Sequence, residues 1–559
     1  MLEITEIPVP LNQGATEEGC LEAGRREAER LLGCQPFDIA DIRLHRKTVD
    51  ARKKQHIQFS INIRVELRDG LDERSIMTGL SKQNAQRVRI VEDRSSSFPP
   101  SVGVGERQVL RPVVVGAGSA GLFAALALAE AGLEPLLVER GGDPEERISS
   151  VRHLEETGEL DLDTNTRFGA GGSGACSGST FAPGGDNPDH QLVLNTLVQA
   201  GAPRRILWEA EPRIGSDLLP GVVANLVSRI RALDGEVRFN TKLIGIDRAR
   251  DGSMRNITVL SGGREESILA NRLVLACGVS ARDIYAILRD IGVQLARRTF
   301  YIGVRIEHLQ EDIDHARFGS SAGNPALGAA SYKLNARCGN GHGISTADMC
   351  PGGEVVPAQI ETGCMAVCGA STESHDGRNA NAALLASIGP GDLEGDDPLA
   401  GMELQRSCER AAHELGGEQN RAPAQLLGDF LSGVPSTGAG RIEPTYPLGV
   451  TWAALDEALP ASVVETLRLG VPTLNRKLRG FNDPEAVLVG VEAPSGAPVT
   501  IVRNKDYQAA GTPGLYPCGE GSGYVGSTVA AAADGINCAR ALIESLPTYL
   551  KRSDVETLS

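Results

Sequence analysis

Residues 111–140 read RPVVVGAGSAGLFAALALAEAGLEPLLVER and decide the fold. Three valines lead into Gly116, Gly118 and Gly121, an Ala/Leu-rich segment follows, and a second apolar run ends on Glu139. This order predicts a strand, a glycine turn, a helix and a second strand, which is the context in which a GxGxxG motif indicates a dinucleotide site. The stretch therefore predicts an α/β domain of the Rossmann type.

The glycines and the acid that follows them have separate tasks in such a site. The first glycine permits a tight turn, the second lets a pyrophosphate approach the backbone, and the third lets the helix pack on the strand. The helix N-terminus faces the phosphates, and the carboxylate of Glu139 can accept hydrogen bonds from a ribose diol. A glycine-rich turn without a ligand is the alternative. We expect cofactor contacts from Gly116, Ala117, Gly118, Ser119, Ala120, Gly121, Glu139 and Arg140.

A second turn of this kind lies near the end of the chain. A short apolar run enters Gly519 and Glu520, and Ser527 and Thr528 then open an Ala-rich segment with helical character. The N-terminus of that helix would stabilise negative charge on the edge of a ring, and Glu520 could bind a ribityl hydroxyl. A nicotinamide domain is usually one continuous block, so two distant segments favour FAD as the cofactor.

Between these segments, small residues would let the backbone approach a flat ligand. Residues 168–174 are too rich in glycine for a helix or a strand, and the apolar run 272–276 is followed by a Cys-Gly pair. A flexible loop is the alternative for the glycine-rich stretch. The cofactor contacts expected outside the first motif are Gly171, Gly172, Ser173, Leu243, Ala276, Gly278, Gly519, Glu520, Ser527 and Thr528.

The rest of the chain divides into domains by its patterns. Residues 56–67 alternate strictly between apolar and polar side chains, which is typical of a half-buried strand. With two helices and three further strands, this predicts a ferredoxin-like β-α-β-β-α-β domain. We place that domain at residues 1–95, a linker at 96–110, the first part of the FAD-binding domain at 111–283, an inserted α+β substrate domain at 284–484 and the second part of the FAD-binding domain at 485–559.

Composition disfavours several classes of partner. The 559 residues carry a formal net charge of −16, which disfavours nucleic acid bound through its phosphates. No apolar run reaches the roughly 18 residues of a membrane span, and the first residues lack the apolar core of a signal peptide. Eleven cysteines without secretory features indicate reduced thiols. We therefore expect a cytoplasmic protein that acts on a small molecule; the oligomeric state has no signal in the sequence.

Several motifs together resemble those of one protein family. They include residues 49–54 (VDARKK), 168–174 (FGAGGSG), 349–353 (MCPGG), 376–381 (DGRNAN) and 519–524 (GEGSGY). The chain resembles, over nearly its whole length, the uncharacterised bacterial FAD-dependent dehydrogenases, which are related in their flavin domain to glutathione-reductase-like and BaiN-like flavoproteins. The resemblance implies FAD, a two-part flavin domain of the glutathione-reductase type, an inserted substrate domain and an N-terminal ferredoxin-like domain. It implies no particular substrate.

The inserted domain supplies candidates for substrate binding and acid–base chemistry. Arg305 could hold a substrate carboxylate, and one of His308, Tyr332 and Lys333 could serve as the acid or base beside the flavin N5 atom. Cys350 is a further candidate, either as a pocket wall or as an acid. An ordinary surface ion pair is the alternative for Arg305.

Two other chemistries receive less support from the sequence. A redox dithiol needs two neighbouring thiols, and Cys176, Cys364 and Cys368 form no evident pair. Cys338 and His342 have a spacing that could suit zinc, but a fourth ligand is missing, so we expect no metal site.

The sequence therefore predicts an FAD-dependent oxidoreductase that transfers a hydride between a small organic substrate and flavin N5. No second nucleotide motif is evident, so NAD(P)H, if it is the electron donor, would bind transiently. The alternatives are an FAD-dependent monooxygenase and a flavoprotein that modifies RNA or has no catalytic role.

Overall fold

The computed structural model describes residues 1–92, 96–101, 111–174, 181 and 187–546. Most of the predicted linker 96–110 lies outside these residues, as does Cys176. None of the described helices is both long enough and apolar enough to cross a membrane.

Short strands alternate with helices along the described chain. In chain order the strands are β1 (Leu2–Val9), β2 (Ile39–Asp50), β3 (Gln58–Leu67), β4 (Val88–Ile90), β5 (Val113–Val115), β6 (Leu136–Val138), β7 (Glu236–Arg238), β8 (Thr241–Arg248), β9 (Met254–Ser261), β10 (Arg264–Leu269), β11 (Leu273–Leu275), β12 (Leu295–Arg297), β13 (Phe300–Leu309), β14 (Asn335–Arg337), β15 (Gly343–Cys350), β16 (Glu354–Pro357), β17 (Val367–Ala370), β18 (Asn379–Ile388), β19 (Ala422–Leu426), β20 (Val450–Trp452), β21 (Val487–Ser495), β22 (Val499–Ile501) and β23 (Leu515–Pro517). The α-helices span Leu11–Gly14, Glu17–Leu32, Glu73–Gly79, Lys82–Ala85, Ser119–Glu130, Pro144–Thr157, Pro188–Gln199, Leu219–Ala232, Arg282–Asp290, Gln310–Phe318, Ala400–Gly416, Leu427–Ser432, Ala461–Lys477 and Thr528–Glu544.

The first four strands form an antiparallel sheet in the order β2-β3-β1-β4. Together with the helices Glu17–Leu32 and Glu73–Gly79 they follow the β-α-β-β-α-β succession that the sequence predicts. The apolar side chains of β3 are buried, as its alternation predicts. The second helical region of this domain consists of two short helices, because the hydroxyl of Ser81 accepts a hydrogen bond from the amide of Asn84 and caps a new helix.

The glycine motif belongs to a parallel five-stranded sheet in the order β23-β11-β5-β6-β7. The chain runs outward from β5 to β6 and β7, and later returns to the other side of β5 with β11 and β23. In open parallel sheets, ligands bind outside the carboxyl ends of the strands at such a reversal. The topology therefore places the binding crevice next to β5, where the sequence places the glycine turn.

One face of this sheet is covered by two helices that contact each other. The helix Ser119–Glu130 is buried on nearly all sides, which is why it consists almost entirely of small and apolar residues. It packs against the helix Thr528–Glu544. Gly535 allows this close approach, since a Cβ there would lie under 3.0 Å from the carbonyl oxygen of Ala120. The other face packs on strands β8 to β10 and on the helix Arg282–Asp290.

A second large sheet has seven strands, in the order β14-β15-β18-β13-β21-β19-β20. Its inner strands β13 and β18 are buried along almost their whole length. Strand β21 pairs with β13 in this sheet, although we expected residues 485–559 to belong to the FAD-binding domain. The inserted domain therefore continues to Ser495, past the predicted boundary at 484. An apolar strand carries no mark of the sheet that it joins, which is why the sequence misplaces this boundary.

The helix Leu219–Ala232 begins without a side-chain cap. Neither Ser216 nor Asp217 caps it, because the carboxylate of Asp217 accepts a hydrogen bond from the amide of Glu373 at 2.8 Å. This bond ties the cofactor domain to the inserted domain.

Candidate functional site

A cleft opens at the carboxyl ends of three neighbouring strands of the parallel sheet. The turns that follow β5, β11 and β23 bring Gly116, Gly278 and Gly519 to its wall. The hydroxyl of Tyr285 joins two of these turns, since it lies 3.1 Å from the carbonyl oxygen of Gly278 and 2.7 Å from that of Gly521. The two distant chain segments that the sequence assigns to one cofactor therefore meet in one cleft.

The glycines of the first turn are arranged as the motif predicts. Gly116 has a φ of +99°, and a Cβ at this position would lie under 3.0 Å from the carbonyl oxygen of Ala276. A Cβ at Gly121 would lie under 3.0 Å from the carbonyl oxygen of Gly116. Gly118 differs, because the nearest atom to a Cβ there would be the Cα of Gly172 at 3.7 Å. The first and third glycines close the turn, and the second leaves the backbone open to a ligand.

Glu139 joins this turn to the glycine-rich segment 168–174. Its carboxylate is only 6% exposed. Oε2 accepts a hydrogen bond from the amide of Ala117 (2.7 Å), and Oε1 accepts from the amides of Gly141 (3.0 Å) and Gly169 (3.1 Å). Because Oε2 accepts only one of these bonds, it keeps a lone pair for a ribose hydroxyl.

Arg147 organises the same segment, and the sequence gives no signal of this role. Its buried guanidinium donates to the carbonyl oxygens of Asn165 (3.1 Å), Thr166 (2.9 Å), Gly169 (3.4 Å), Ala170 (2.7 Å) and Gly172 (2.7 Å). Arginine carries five N–H donors in a rigid fork, so a single side chain fixes five carbonyl groups of this glycine-rich segment.

The C-terminal wall of the cleft is the beginning of the helix Thr528–Glu544. Ser527 caps this helix, because its hydroxyl accepts a hydrogen bond from the amide of Ala530 at 3.3 Å. Both Ser527 and Thr528 line the cleft. The positive end of the helix dipole therefore faces the space where a ligand would lie.

Sixteen of the eighteen expected cofactor contacts line this cleft. The exceptions are Ala117, whose amide is bonded to Glu139, and Gly121, which packs against the turn. Cys277 of the Cys-Gly pair also lines the cleft. Arg167, Thr241 and Cys518 line it as well, although the sequence analysis does not single them out. The expected residues that line it are Gly116, Gly118, Ser119, Ala120, Glu139, Arg140, Gly171, Gly172, Ser173, Leu243, Ala276, Gly278, Gly519, Glu520, Ser527 and Thr528.

Glu520 lies in this cleft with an altered pKa. Burial raises the pKa of Glu520 to about 7, and the carboxylate of Asp348 adds to the rise, while Arg167 and Arg298 oppose it. A carboxyl group with such a pKa is present in both protonation states near neutral pH, so it can hold or release a proton there.

We expect Glu520 to make the apoprotein less stable as the pH rises from about 4.5 to about 7. Within this window the folded state binds the proton and the unfolded state releases it, so the free energy of unfolding falls with rising pH. E520Q should match the wild type near pH 4.5 and exceed it by about 3 kcal/mol above pH 7. Urea unfolding of both apoproteins across this range measures the difference, and a difference that does not change with pH would contradict the assignment.

Arg305 does not reach the cleft. It lies on the inner strand β13 with 0% of its surface exposed, and its Nη1 pairs with Oε2 of Glu492 at 2.9 Å. Its Nε donates to Oδ1 of Asn381 at 3.0 Å, and its Nη2 donates to the carbonyl oxygen of Asp348. The structure therefore contradicts the expectation that Arg305 holds a substrate carboxylate. It also contradicts the alternative of a surface ion pair, because the pair of Arg305 with Glu492 is buried.

The other four catalytic candidates do not line the cleft either. His308 and Tyr332 are buried against the ring of Phe481, Cys350 is buried, and Lys333 is exposed. The expectation that one of them acts beside the flavin therefore has no support in this geometry. The pattern of strand β13 in the sequence does not reveal that both of its faces are covered, so it gives no sign that His308 is buried.

Removal of Arg305 should destabilise the whole fold. In R305M the buried carboxylate of Glu492 loses its partner, which costs about 3–5 kcal/mol of unfolding free energy. Arg317, which is exposed in the same domain, offers a matched control, and R317M should change stability by less than about 0.5 kcal/mol. Urea unfolding measures both effects. If R305M kept the stability of the wild type but had a raised KM for its substrate, Arg305 would bind substrate after all.

Ten cysteines lie among the described residues, and no disulfide joins any two of them. Burial raises the pKa of Cys364 to about 11 and that of Cys277 to about 12, so both thiols stay protonated near neutral pH and are poor nucleophiles. Within the described residues, no group of three or more His, Cys, Asp or Glu side chains is arranged to hold a metal ion.

Two protein-family models match the chain. Residues 299–495 match the FAD-dependent protein, C-terminal domain-like family, and residues 114–195 match an NAD(P)-binding Rossmann-like domain. A Clostridium beijerinckii protein (strain ATCC 51743 / NCIMB 8052), itself described as uncharacterised, is 38% identical over 520 residues, which are 92% of this chain and 94% of the relative. The chain belongs to this family of FAD-dependent oxidoreductases.

Solved structures resemble this oxidoreductase only distantly. E. coli quinol fumarate reductase FrdA is 13% identical, with 80% of this chain and 72% of that chain covered and a TM-score of 0.37. A flavoprotein/dehydrogenase from Cytophaga hutchinsonii is 12% identical, with 80% and 82% covered and a TM-score of 0.35. Similarities this distant carry no argument about substrate or reaction.

The cleft of the oxidoreductase fits FAD. The backbone is open at Gly118 and Gly278, where a Cβ would meet little or nothing. Two helices begin at the same cleft, at Ser119 and at Thr528. Their positive ends would favour the anionic diphosphate and the electron-rich edge of the ring system, respectively.

Proposed function

We propose that this oxidoreductase transfers a hydride between a small organic substrate and N5 of its FAD. Bound FAD supplies the two-electron chemistry at its ring system. The residues of the chain hold the cofactor, position the substrate and hold a proton near it. We further propose that NAD(P)H binds transiently as the electron donor, since the sequence has no evident second nucleotide motif.

One observation carries the proposal. Gly116 and Thr528 are 412 positions apart in the chain (528 − 116) and line the same cleft. A flavin site needs such a return of the chain, because the diphosphate binds the first turn while the ring system extends away from it and is covered by another segment. The return of the chain to this cleft also supports a flavin domain of the glutathione-reductase type.

The substrate would lie where the cleft meets the inserted domain. Arg282 holds the two domains together, since its guanidinium donates to both carboxylate oxygens of Glu409 at 2.7 and 2.9 Å. Glu520 lines the cleft at this junction, and its pKa responds to the carboxylate of Asp348 on β15 of the inserted domain. The carboxyl oxygens of Glu520 are therefore suited to hold a proton near a bound substrate.

Anaerobic reduction tests the proposal. The purified protein should be yellow, should carry stoichiometric FAD, and should lose its flavin absorbance on addition of NADH or NADPH. Candidate substrates should then restore the absorbance without oxygen. A colourless protein that cannot be reconstituted with FAD would contradict the proposed function.

Two further readouts separate the alternative functions. Incorporation of labelled oxygen into a product would favour the monooxygenase. Stoichiometric RNA bound to the purified protein would favour the RNA-modifying flavoprotein.

A further inference from the structure

Arg167 lines the cleft, and two of its guanidinium nitrogens have no hydrogen-bonding partner. Its Nε and Nη2 atoms are buried, and neither has an acceptor among the residues that the structure describes. Burial of guanidinium donors without acceptors is unfavourable, because they lose their hydrogen bonds to water and gain none in return. The side chain is therefore positioned for an acceptor that comes from outside the chain.

Four other buried or half-buried arginines near the cleft have such partners already. Each donates to a carboxylate or to backbone carbonyl groups at hydrogen-bonding distance. The pairs are Arg140 with Asp283, Arg147 with the carbonyl groups of segment 165–172, Arg282 with Glu409, and Arg305 with Glu492. Arg167 differs from all four, so its unpaired state is a local feature of the cleft.

Three carboxyl groups lie near enough to Arg167 for its charge to act on them. Its charge favours the ionised forms of Glu409, Glu492 and Glu520. Glu409 is bonded to Arg282, and Glu492 is bonded to Arg305. Because Glu409 and Glu492 belong to the inserted domain, the charge of Arg167 lies at the junction of the cofactor cleft with that domain.

The FAD of the proposed function would not need this cation. Backbone amides at the start of the helix Ser119–Glu130 suit its diphosphate, and the helix that begins at Thr528 suits the edge of its ring system. The remaining ligand at the junction is the substrate. A guanidinium group is planar and matches the two oxygens of a carboxylate with parallel hydrogen bonds.

We propose that Arg167 binds a carboxylate group of the substrate, so that the substrates of this oxidoreductase are small organic acids. This inference rests on the proposed function and adds a substrate class to it. It also assigns to Arg167 the clamp that the sequence suggests for Arg305.

Flavin absorbance of the holoprotein tests the inference without turnover. Acetate, succinate and benzoate are titrated against acetamide, succinamide and benzamide as uncharged controls, at constant ionic strength. At least one carboxylate should perturb the flavin spectrum saturably, and its amide should bind about tenfold more weakly or worse. R167M should raise the dissociation constant of that carboxylate about tenfold or more, R167K should raise it less, and all variants should keep their FAD.

A matched control is Arg289→Met, which removes an exposed arginine that is paired with Asp290. This variant should bind the carboxylate like the wild type. Equal carboxylate affinity in R167M and the wild type would overturn the inference, and so would a wild type that responds to no carboxylate. Loss of FAD from both R167M and R167K would overturn it too, because Arg167 would then hold the cofactor. Failure of the proposed function itself is visible beforehand, as a wild type without FAD or with a flavin that cannot be reduced.

Discussion

G121A should purify with little or no FAD. A Cβ at position 121 would lie under 3.0 Å from the carbonyl oxygen of Gly116 and 3.3 Å from the Cβ of Ala276. The first of these atoms belongs to the backbone of the turn, so the turn itself must move and take its amides with it. We expect a loss of about 1–3 kcal/mol of stability. An equal loss of binding free energy would weaken FAD binding up to about a hundredfold.

The same substitution at Gly221 is the matched control. Gly221 lies in the first turn of the helix Leu219–Ala232, and a Cβ there would meet no atom within 4 Å. G221A should gain about 0.4–1 kcal/mol of stability because it restricts the unfolded chain. The ratio of flavin to protein absorbance and urea unfolding report both effects. Full FAD occupancy in G121A would contradict the role of the third glycine.

R147M should also lose FAD, because the glycine-rich segment loses its anchor. The variant removes five hydrogen bonds to carbonyl groups and leaves buried acceptors unpaired. Each unpaired buried group costs about 1–3 kcal/mol, so we expect a total loss of at least about 3 kcal/mol. R147K keeps the charge but lacks the rigid fork, and should recover only part of this loss.

Fluorescence titration of the apoprotein with FAD measures the change in affinity, and proteolysis reports whether segment 165–172 has loosened. Cleavage there should be faster in R147M than in the wild type, since local opening exposes the backbone. R152M is the control, because Arg152 lies exposed on the same helix, and its stability should change by less than about 0.5 kcal/mol. Wild-type FAD affinity in R147M would show that the segment holds its shape without the arginine.

The sequence predicts the cofactor cleft well because its signals are local. The glycines between β5 and the helix Ser119–Glu130 permit backbone approaches that a Cβ would block, so a short motif reveals them. The turn at Gly519 and the cap at Ser527 are recognisable for the same reason. Strand β3 is predicted correctly because only one of its faces is buried.

Features that depend on contacts between distant residues cannot be predicted from a local sequence motif. Arg147 resembles a surface arginine in its helix, and its partners are backbone carbonyl groups 18 to 25 positions later in the chain. Arg305 is a charged residue on a strand whose two faces are both covered, and no pattern within β13 shows this. The unpaired state of Arg167 follows only from where all the nearby carboxylates lie.

A crystal structure with bound FAD tests the central claim most directly, namely that two distant segments of the chain form one flavin site. We expect the diphosphate against the turn at Gly116 and the first amides of the helix Ser119–Glu130. We expect the ring system to extend to Ser527 and Thr528 at the start of the last described helix. An FAD molecule that contacts the first segment but leaves the turn at Gly519 and the helix after it without a contact would contradict the account.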